Sequence, residues 1–199
     1  MRNNYIIARD NAQQLFLKMN QAELIHLHAL YADNEYIYID YFGETYAISR
    51  RDGRITLGGT QAGFNTTLAI FDYLSHAPTQ SAGKWCATNS LPHVGQSQPS
   101  GSKLYAAYAE KFQDRADALS AALNRLKCAD FPKGDVSGII PVFSDVHMVF
   151  EFWAADEDFP PQIGFFWDEN VLTRLRYETL YYVMGDFLEM LNQMSQRNS

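Results

Sequence analysis

The amino-acid sequence predicts an α+β fold, with a mostly antiparallel sheet packed against several helices. Predicted strands and helices come in groups along the chain, and this grouping favours an antiparallel arrangement over the regular strand–helix alternation of parallel sheets. Hydrophobic residues make up 47% of the 199 residues and charged residues 20%, as in ordinary globular domains. Since no repeat or linker-like tract marks a boundary, we expect a single domain over residues 1–199.

The first half of the chain predicts a helix, three strands and a second helix. Apolar side chains at three- and four-residue steps indicate the first helix, with Asp10 as its N-cap. Alternating Tyr and Ile residues indicate the first strand, and Gly43 and the Asp52-Gly53 pair supply the turns of a meander. We expect a helix at 11–31, strands at 35–41, 45–49 and 54–57, a helix that ends near residue 76, and an extended piece at 84–88.

The second half predicts one long helix, a group of strands and a closing helix. Leu and aromatic residues form one stripe of the long helix, with charged residues on its other side. Stretches rich in β-branched and aromatic residues then indicate strands. Residues 89–101, which precede the long helix, are rich in Ser, Gln, Pro and Gly, which is typical of a flexible loop or lid. We expect helices at 102–127 and 171–194 and strands at 139–143, 146–153 and 162–166.

Charge and cysteine content exclude several classes of function. The net charge of -7 argues against binding to nucleic acid or to an anionic membrane surface, since both need a cationic footprint. The two cysteines form no C-x-x-C pair, which excludes a cysteine-only zinc site and an iron–sulfur cluster held by this chain alone. No leader-like segment and no long apolar run is evident, so we expect a cytoplasmic protein without a membrane span.

An acidic turn between two predicted strands is the sharpest local feature. Asp156, Glu157 and Asp158 follow Trp153 and precede Phe159, and Glu151 and Asp168 lie on the flanking strands. Converging carboxylates would suit Ca²⁺ or Mg²⁺, and burial beside an aromatic ring would raise a carboxyl pKa for acid–base work. The alternative is a structural turn whose carboxylates accept hydrogen bonds from backbone amides and face water. Sequence alone leaves both interpretations open, and we assign no metal ligand.

Two histidines have neighbours that suggest chemistry. His147 lies two residues after Asp145 on a predicted strand, so both side chains are expected on the same face as a carboxylate–histidine pair. Cys86 precedes His93 by seven residues and would need that imidazole nearby to act as a nucleophile. Each pair has a simpler explanation, a structural hydrogen bond in the first case and a buried small side chain in the second.

Several segments together resemble a known family. The stretch IPVFSDVHMVFEFWAADEDFPPQIGFFWDENVLTRLRYETLYYVMGDFLEML resembles the carboxy-terminal signature of the bacterial and archaeal family of domain of unknown function 3786. In that signature one strand ends in an aromatic residue, an acidic turn follows, and a second strand ends in Phe-Asp before a helix. Here these features correspond to Trp153, residues 156–160 and residues 166–168. YFGETYAISRRDGRI, FDYLSHA and GKWCATNSL resemble further family blocks. The resemblance implies a relationship of fold and supplies no catalytic residues.

Three functions are compatible with these observations. The absence of a complete catalytic motif beside many aromatic residues favours a non-catalytic accessory or small-ligand-binding protein, with an aromatic pocket near the 153–159 turn and the 89–101 loop. Family context implies a link to anaerobic corrinoid or iron–sulfur metabolism, with a larger anaerobic metalloenzyme as a partner. The alternatives are a metal-dependent or acid–base enzyme that uses residues 156–158 and His147, and a protein–protein interaction module. The sequence names no cofactor.

Overall fold

The computed structural model describes residues 4–92 and 102–196, and the side chains of 5–92 and 105–196. The helices are α1 (Asn4–Lys18), α2 (Gln21–Leu27), α3 (Phe64–Leu74), α4 (Ser102–Phe112), α5 (Ala116–Arg125) and α6 (Tyr177–Gln196). The strands are β1 (Tyr31–Ala32), β2 (Tyr36–Tyr41), β3 (Glu44–Ser49), β4 (Ile55–Leu57), β5 (Thr60–Gln61), β6 (Trp85–Ala87), β7 (Val136–Pro141), β8 (His147–Trp153) and β9 (Gln162–Asp168). Short 3₁₀ turns occupy Thr88–Ser90 and Val171–Thr173.

The strands form two sheets in which every described pairing is antiparallel. The first sheet is a meander in the order β1-β2-β3-β4-β5, and the second has the order β6-β9-β8-β7. These sheets and the helices confirm the predicted α+β class. The sequence predicted one sheet, and the structure divides the strands between two: β1 to β5 precede α3 in the chain and form the first sheet, and β6 to β9 follow it and form the second.

Two long helices predicted from the sequence are each broken into two. The helix predicted at 11–31 begins earlier, so Asp10 lies inside α1 and is not its N-cap. The first piece ends at Lys18, and Asn20 caps the second, because its side-chain oxygen accepts a hydrogen bond from the Glu23 amide at 3.3 Å. The helix predicted at 102–127 breaks between Phe112 and Ala116, and Arg115 there donates to Asn192 on α6 at 3.3 Å.

One hydrophobic core joins the two sheets around α6. The Phe187 ring on this helix lies 5.8 Å from the Phe42 ring in the first sheet, and 5.2 Å and 6.2 Å from the Phe150 and Phe165 rings in the second. Phe42 occupies the β2–β3 turn, and its amide donates to the Val142 carbonyl at 3.0 Å. Phe187, Phe150 and Phe165 are all buried, and aromatic pairs at such distances stabilise a core beyond the area they bury.

The turn that carries Phe42 requires a special backbone conformation. Phe42 and Gly43 have φ angles of 51° and 77°, which is typical of a two-residue hairpin turn with both central residues in the left-handed region. The predicted hairpin is therefore confirmed, with Tyr41 paired with Glu44 across the turn.

Among the helices that the structure describes, none is long and apolar enough to cross a membrane.

Candidate functional site

The acidic turn lies in the connection between β8 and β9. Asp156 Oδ1 accepts hydrogen bonds from the amides of Asp158 at 2.9 Å and Phe159 at 2.8 Å, and the Asp156 amide donates to the Phe159 carbonyl at 3.0 Å. Asp156, Glu157 and Asp158 are exposed. This geometry is that of an Asp-centred turn, so backbone capping accounts for Asp156.

Two exposed aromatic side chains flank the acidic turn. Trp153 is 47% exposed and Phe159 is 61% exposed. Together with Asp135 and Asp156 they line an open depression of about 470 Å³. Large aromatic side chains at the surface are typical of contact sites for other molecules. The structure therefore brings together the predicted residues Trp153, Asp156 and Phe159.

His147 lies apart from the acidic turn. It is the first residue of β8 and Trp153 is the last, and six residue steps along a strand span roughly 20 Å. Glu151 lies in mid-strand opposite Gly164. The carboxylates that were considered as a converging set are therefore spread along the sheet. Among the described residues no group of three or more His, Cys, Asp and Glu side chains is arranged to hold a metal ion.

His147 instead shares a small polar cleft with Asp145. This cleft of about 120 Å³ lies at the opposite end of the second sheet from the acidic turn, and Trp85, Asp168 and Arg174 also line it. His147 is exposed at its rim. His147 and Asp145 both line this cleft, and Asp145 forms an ion pair with Arg174 at 3.0 Å.

A buried ion pair anchors the floor of the polar cleft. Arg174 is 3% exposed, and its Nε and Nη2 donate to the two carboxylate oxygens of Asp145 at 3.0 Å and 3.3 Å, while Nη1 donates to the His76 carbonyl. The Tyr73 hydroxyl donates to Asp145 at 2.7 Å, and the guanidinium lies 4.4 Å from the centre of the Tyr73 ring. Burial, with the Asp145 carboxylate adding to it, raises the pKa of Tyr73 to about 12. A tyrosine in this state stays protonated and acts as a donor.

A second buried carboxylate holds the start of α6. Asp72, on α3, accepts hydrogen bonds from the Arg176 amide at 2.8 Å, the Arg176 Nε at 2.7 Å and the Thr179 hydroxyl at 2.5 Å. A carboxylate is favourable at a helix N-terminus, where free amides and the helix dipole present positive charge. Sequence reasoning missed Asp72, Arg174 and Arg176 as a group. In the sequence, the one indication of this group was that a charged residue occurs three times within or next to mainly apolar segments.

A mainly apolar cleft lies along β9, and we call it the aromatic cleft. It has a volume of about 440 Å³. Tyr105 on α4, Tyr181 on α6, and Phe165 and Phe166 on β9 line it, together with Asn89 and Pro160. A pocket was expected near the 153–159 turn and the 89–101 loop; of the described residues in those two segments, Asn89 alone lines this cleft. Residues 93–101, including His93 of the suggested Cys86–His93 pair, lie outside the described residues.

The tyrosines of the aromatic cleft are held as neutral hydrogen-bond donors. Burial raises the pKa of Tyr105, and its hydroxyl donates to the Met184 sulfur at 3.1 Å. Burial and the hydrogen bond with Tyr177 raise the pKa of Tyr181, and the two hydroxyl oxygens are 3.0 Å apart. Sequence reasoning did not single out Tyr105 or Tyr181, because they come from helices distant in sequence from the predicted loop and turn.

Comparison with known proteins places the chain in a family. The model of the family described as Domain of unknown function (DUF3786) matches residues 23–190. The chain belongs to this family. The match extends from α2 into α6 and includes the acidic turn, the polar cleft and the aromatic cleft. No curated protein and no solved structure matches the chain.

Proposed function

We propose that this DUF3786 protein is a non-catalytic accessory protein that binds a small ligand in the aromatic cleft. The observation that carries the proposal is the cleft of about 440 Å³ between β9, α4 and α6. Its volume falls within the range of roughly 300–1,000 Å³ that is typical of small-molecule sites. Its walls are mainly aromatic and aliphatic, with few polar groups, as such sites usually are.

The lining indicates the class of ligand. Tyr105, Phe165 and Phe166 offer ring surfaces, which favour a flat and mainly apolar molecule. Asn89 and Gln162 add amide groups to the lining, and these suit one or two polar substituents on that molecule. No charged side chain is among the described residues of the lining, so the ligand we propose is uncharged in the part that enters the cleft.

Two carboxylates outside the aromatic cleft have structural partners. Asp72 and Asp145 both accept hydrogen bonds from an arginine and a hydroxyl group of the chain, so their place in the fold is accounted for without a substrate. The cytoplasmic location, and the link to anaerobic corrinoid or iron–sulfur metabolism with a larger metalloenzyme as partner, rest on sequence and family resemblance. They stay predictions.

A pair of neighbouring alanines on α4 provides a test. Ala106 lines the aromatic cleft, whereas Ala107 is exposed and does not line it. We expect Ala106→Trp to fill the cleft and abolish the fluorescence enhancement of the neutral apolar dye Nile red, while Ala107→Trp leaves it unchanged. Native mass spectrometry of the purified proteins would show in parallel whether a co-purified molecule is lost from Ala106→Trp alone. Equal dye binding by all three proteins would contradict the proposal.

An interaction module is the second candidate function. Trp153 and Phe159 present exposed rings beside the acidic turn, and aromatic residues are enriched at protein interfaces. A partner would place an apolar side chain between the two rings and basic groups against Glu157 and Asp158. The enzyme alternative, based on residues 156–158 and His147, also stays a prediction, although these residues lie at opposite ends of β8.

A further inference from the structure

The aromatic cleft borders a buried glutamate on the second sheet. Gly164 on β9 lines the cleft, and Glu151 on β8 lies directly opposite it across the strand pair. We propose that Glu151 recognises the charged group of an organic amine whose flat apolar body occupies the aromatic cleft. This inference rests on the proposed function and adds the class of ligand to it, an aryl-alkyl amine that is protonated at neutral pH.

Strand alternation directs Glu151 away from the helices. The Phe150 ring, one residue before it, lies 5.2 Å from the Phe187 ring on α6. The Phe152 ring, one residue after it, lies 6.3 Å from the Phe112 ring on α4. Successive side chains of a strand point to opposite faces of a sheet, so the Glu151 side chain projects from the face opposite to these helices.

Glu151 is buried without a partner. It is 5% exposed, and no described residue donates a hydrogen bond to its Oε1. Ser137, opposite Glu151 on β7, donates its hydroxyl proton to the Phe131 carbonyl at 2.6 Å, and Gly164 on the other side has no side chain. Among the described residues no cation forms an ion pair with Glu151. A buried carboxylate that lacks a donor is costly to the fold, and a bound cation would offset this cost.

The carboxylate reaches the cleft across Gly164. A Cβ atom at this position would lie 3.5 Å from Glu151 Oε2 and 3.2 Å from Cε2 of the Phe166 ring. The carboxylate and the ring therefore both lie over the glycine, and Gly164 and Phe166 line the cleft. A substituent that extends from a ligand in the cleft across Gly164 thus meets Oε2.

The electrostatics favour a cation at this position. The attraction between two opposite charges is stronger where water is excluded, because the local dielectric constant is lower. The fold already holds Glu151 out of water, so on binding only the amine loses hydration. The net charge of -7 adds a long-range attraction for cations. We therefore expect the apolar cleft to bind the body of the ligand and Glu151 to select for its positive charge.

A matched pair of probes tests the amine site. 1-Naphthylmethylamine carries an ammonium group at pH 7, and 1-naphthylmethanol has a neutral hydroxyl group on the same ring system. We expect isothermal titration calorimetry to show that the natural protein binds the amine about tenfold more tightly than the alcohol. Glu151→Gln keeps the size of the side chain and removes its charge. It should abolish this preference and leave binding of the alcohol unchanged.

Two control variants accompany the titration. Glu110 is exposed on α4 and does not line the cleft, so Glu110→Gln removes the same charge and should keep the preference for the amine. Ala106→Trp fills the cleft and should abolish binding of both probes. A preference for the amine that persists in Glu151→Gln would assign it to another group and overturn the inference.

The outcomes also separate this inference from the proposed function. Equal binding of the two probes by the natural protein would keep the cleft as a binding site and overturn the role of Glu151. Enhanced Nile red fluorescence without binding of the amine would do the same. If Nile red and both probes all fail to bind, the proposed function and the inference fall together.

Urea denaturation provides a measurement that needs no ligand. Replacement of an unpaired buried charge by a neutral amide should stabilise the protein, so we expect a higher urea midpoint for Glu151→Gln than for the natural protein. A lower midpoint would show that the carboxylate has a stabilising partner within the fold, which would contradict the inference.

Discussion

At one end of the second sheet, Asp145 and Asp168 are engaged by side chains and backbone amides, whereas at the other end Glu157 and Asp158 face water. We call the first the paired end and the second the open end. At the paired end Asp145 pairs with the buried Arg174, and Asp168 accepts hydrogen bonds from the Ser81 hydroxyl and three amides. At the open end, within the part of the chain that the structure describes, none of residues 156–158 forms an ion pair.

The difference follows from what lies beside each end. The segment before α6 brings Arg174 into the core next to the turn before β8, and a buried guanidinium needs a carboxylate partner. At the open end no ion pair forms among the described residues; Asp156 caps its own turn, and Glu157 and Asp158 are exposed to water. Acidic residues of similar appearance in the sequence thus stabilise the fold at one end and remain free to contact other molecules at the other.

Replacement of Arg174, at the paired end, should cause the largest loss in the free energy of unfolding. Arg174→Met leaves Asp145 partly buried without its cation, and we expect the free energy of unfolding, measured by urea denaturation, to fall by about 3 kcal/mol. Lys84→Met provides the control, because Lys84 forms an exposed pair with Glu169 at 3.0 Å and its loss should cost less than about 1 kcal/mol. Equal losses in the two variants would contradict a structural role for the buried pair.

Asp168 should have a smaller, pH-dependent effect. Burial raises its pKa, but the hydrogen bonds from Ser81, Ala82, Asn170 and Gly83 outweigh burial and hold the pKa below the usual 3.8. The ionised carboxylate therefore stabilises the fold above pH 3.8, and this contribution is lost as the pH falls through the lower folded-state pKa. We expect Asp168→Asn to cost about 2 kcal/mol at pH 7, because the amide cannot accept all these bonds.

The pH series gives the outcome that would contradict this assignment. The difference in unfolding free energy between the natural protein and Asp168→Asn should be constant above pH 5 and should shrink below pH 3.8. Asp158→Asn, at the open end, should show no such difference. A gap that is independent of pH down to the acid transition would mean that ionisation of Asp168 does not stabilise the fold.

The smallest effect is expected at the open end. Asn forms the same kind of turn as Asp, so Asp156→Asn should change the unfolding free energy by less than about 0.5 kcal/mol. The same variant tests the enzyme alternative, which predicts that it abolishes uptake of Ca²⁺ or Mg²⁺, as measured by calorimetry, while the fold is kept. Metal uptake that persists unchanged in Asp156→Asn would refute that alternative.

Local features were predictable where short-range rules determine them. The β2–β3 hairpin was predicted because alternation and turn-forming residues fix its register, and Ile37 and Ile39 are buried as the alternation requires. The acidic turn between β8 and β9 was predicted for the same reason. The breaks between α1 and α2 and between α4 and α5 were missed because the apolar periodicity continues across them. The first is marked locally by the Asn20 cap of α2, whereas at the second Arg115 contacts Asn192 on α6.

The sequence by itself determined the α+β class, the family, the β2–β3 hairpin and the position of the acidic turn, since each depends on neighbours within a few residues or on a recognisable motif. Only the tertiary structure decided that Arg174 is buried against Asp145, that Tyr105 and Tyr181 meet β9 in the aromatic cleft, and that His28 lies beside Tyr73. These contacts join residues far apart in the chain. Their geometry depends on how whole helices and sheets pack, which no local pattern of side chains encodes.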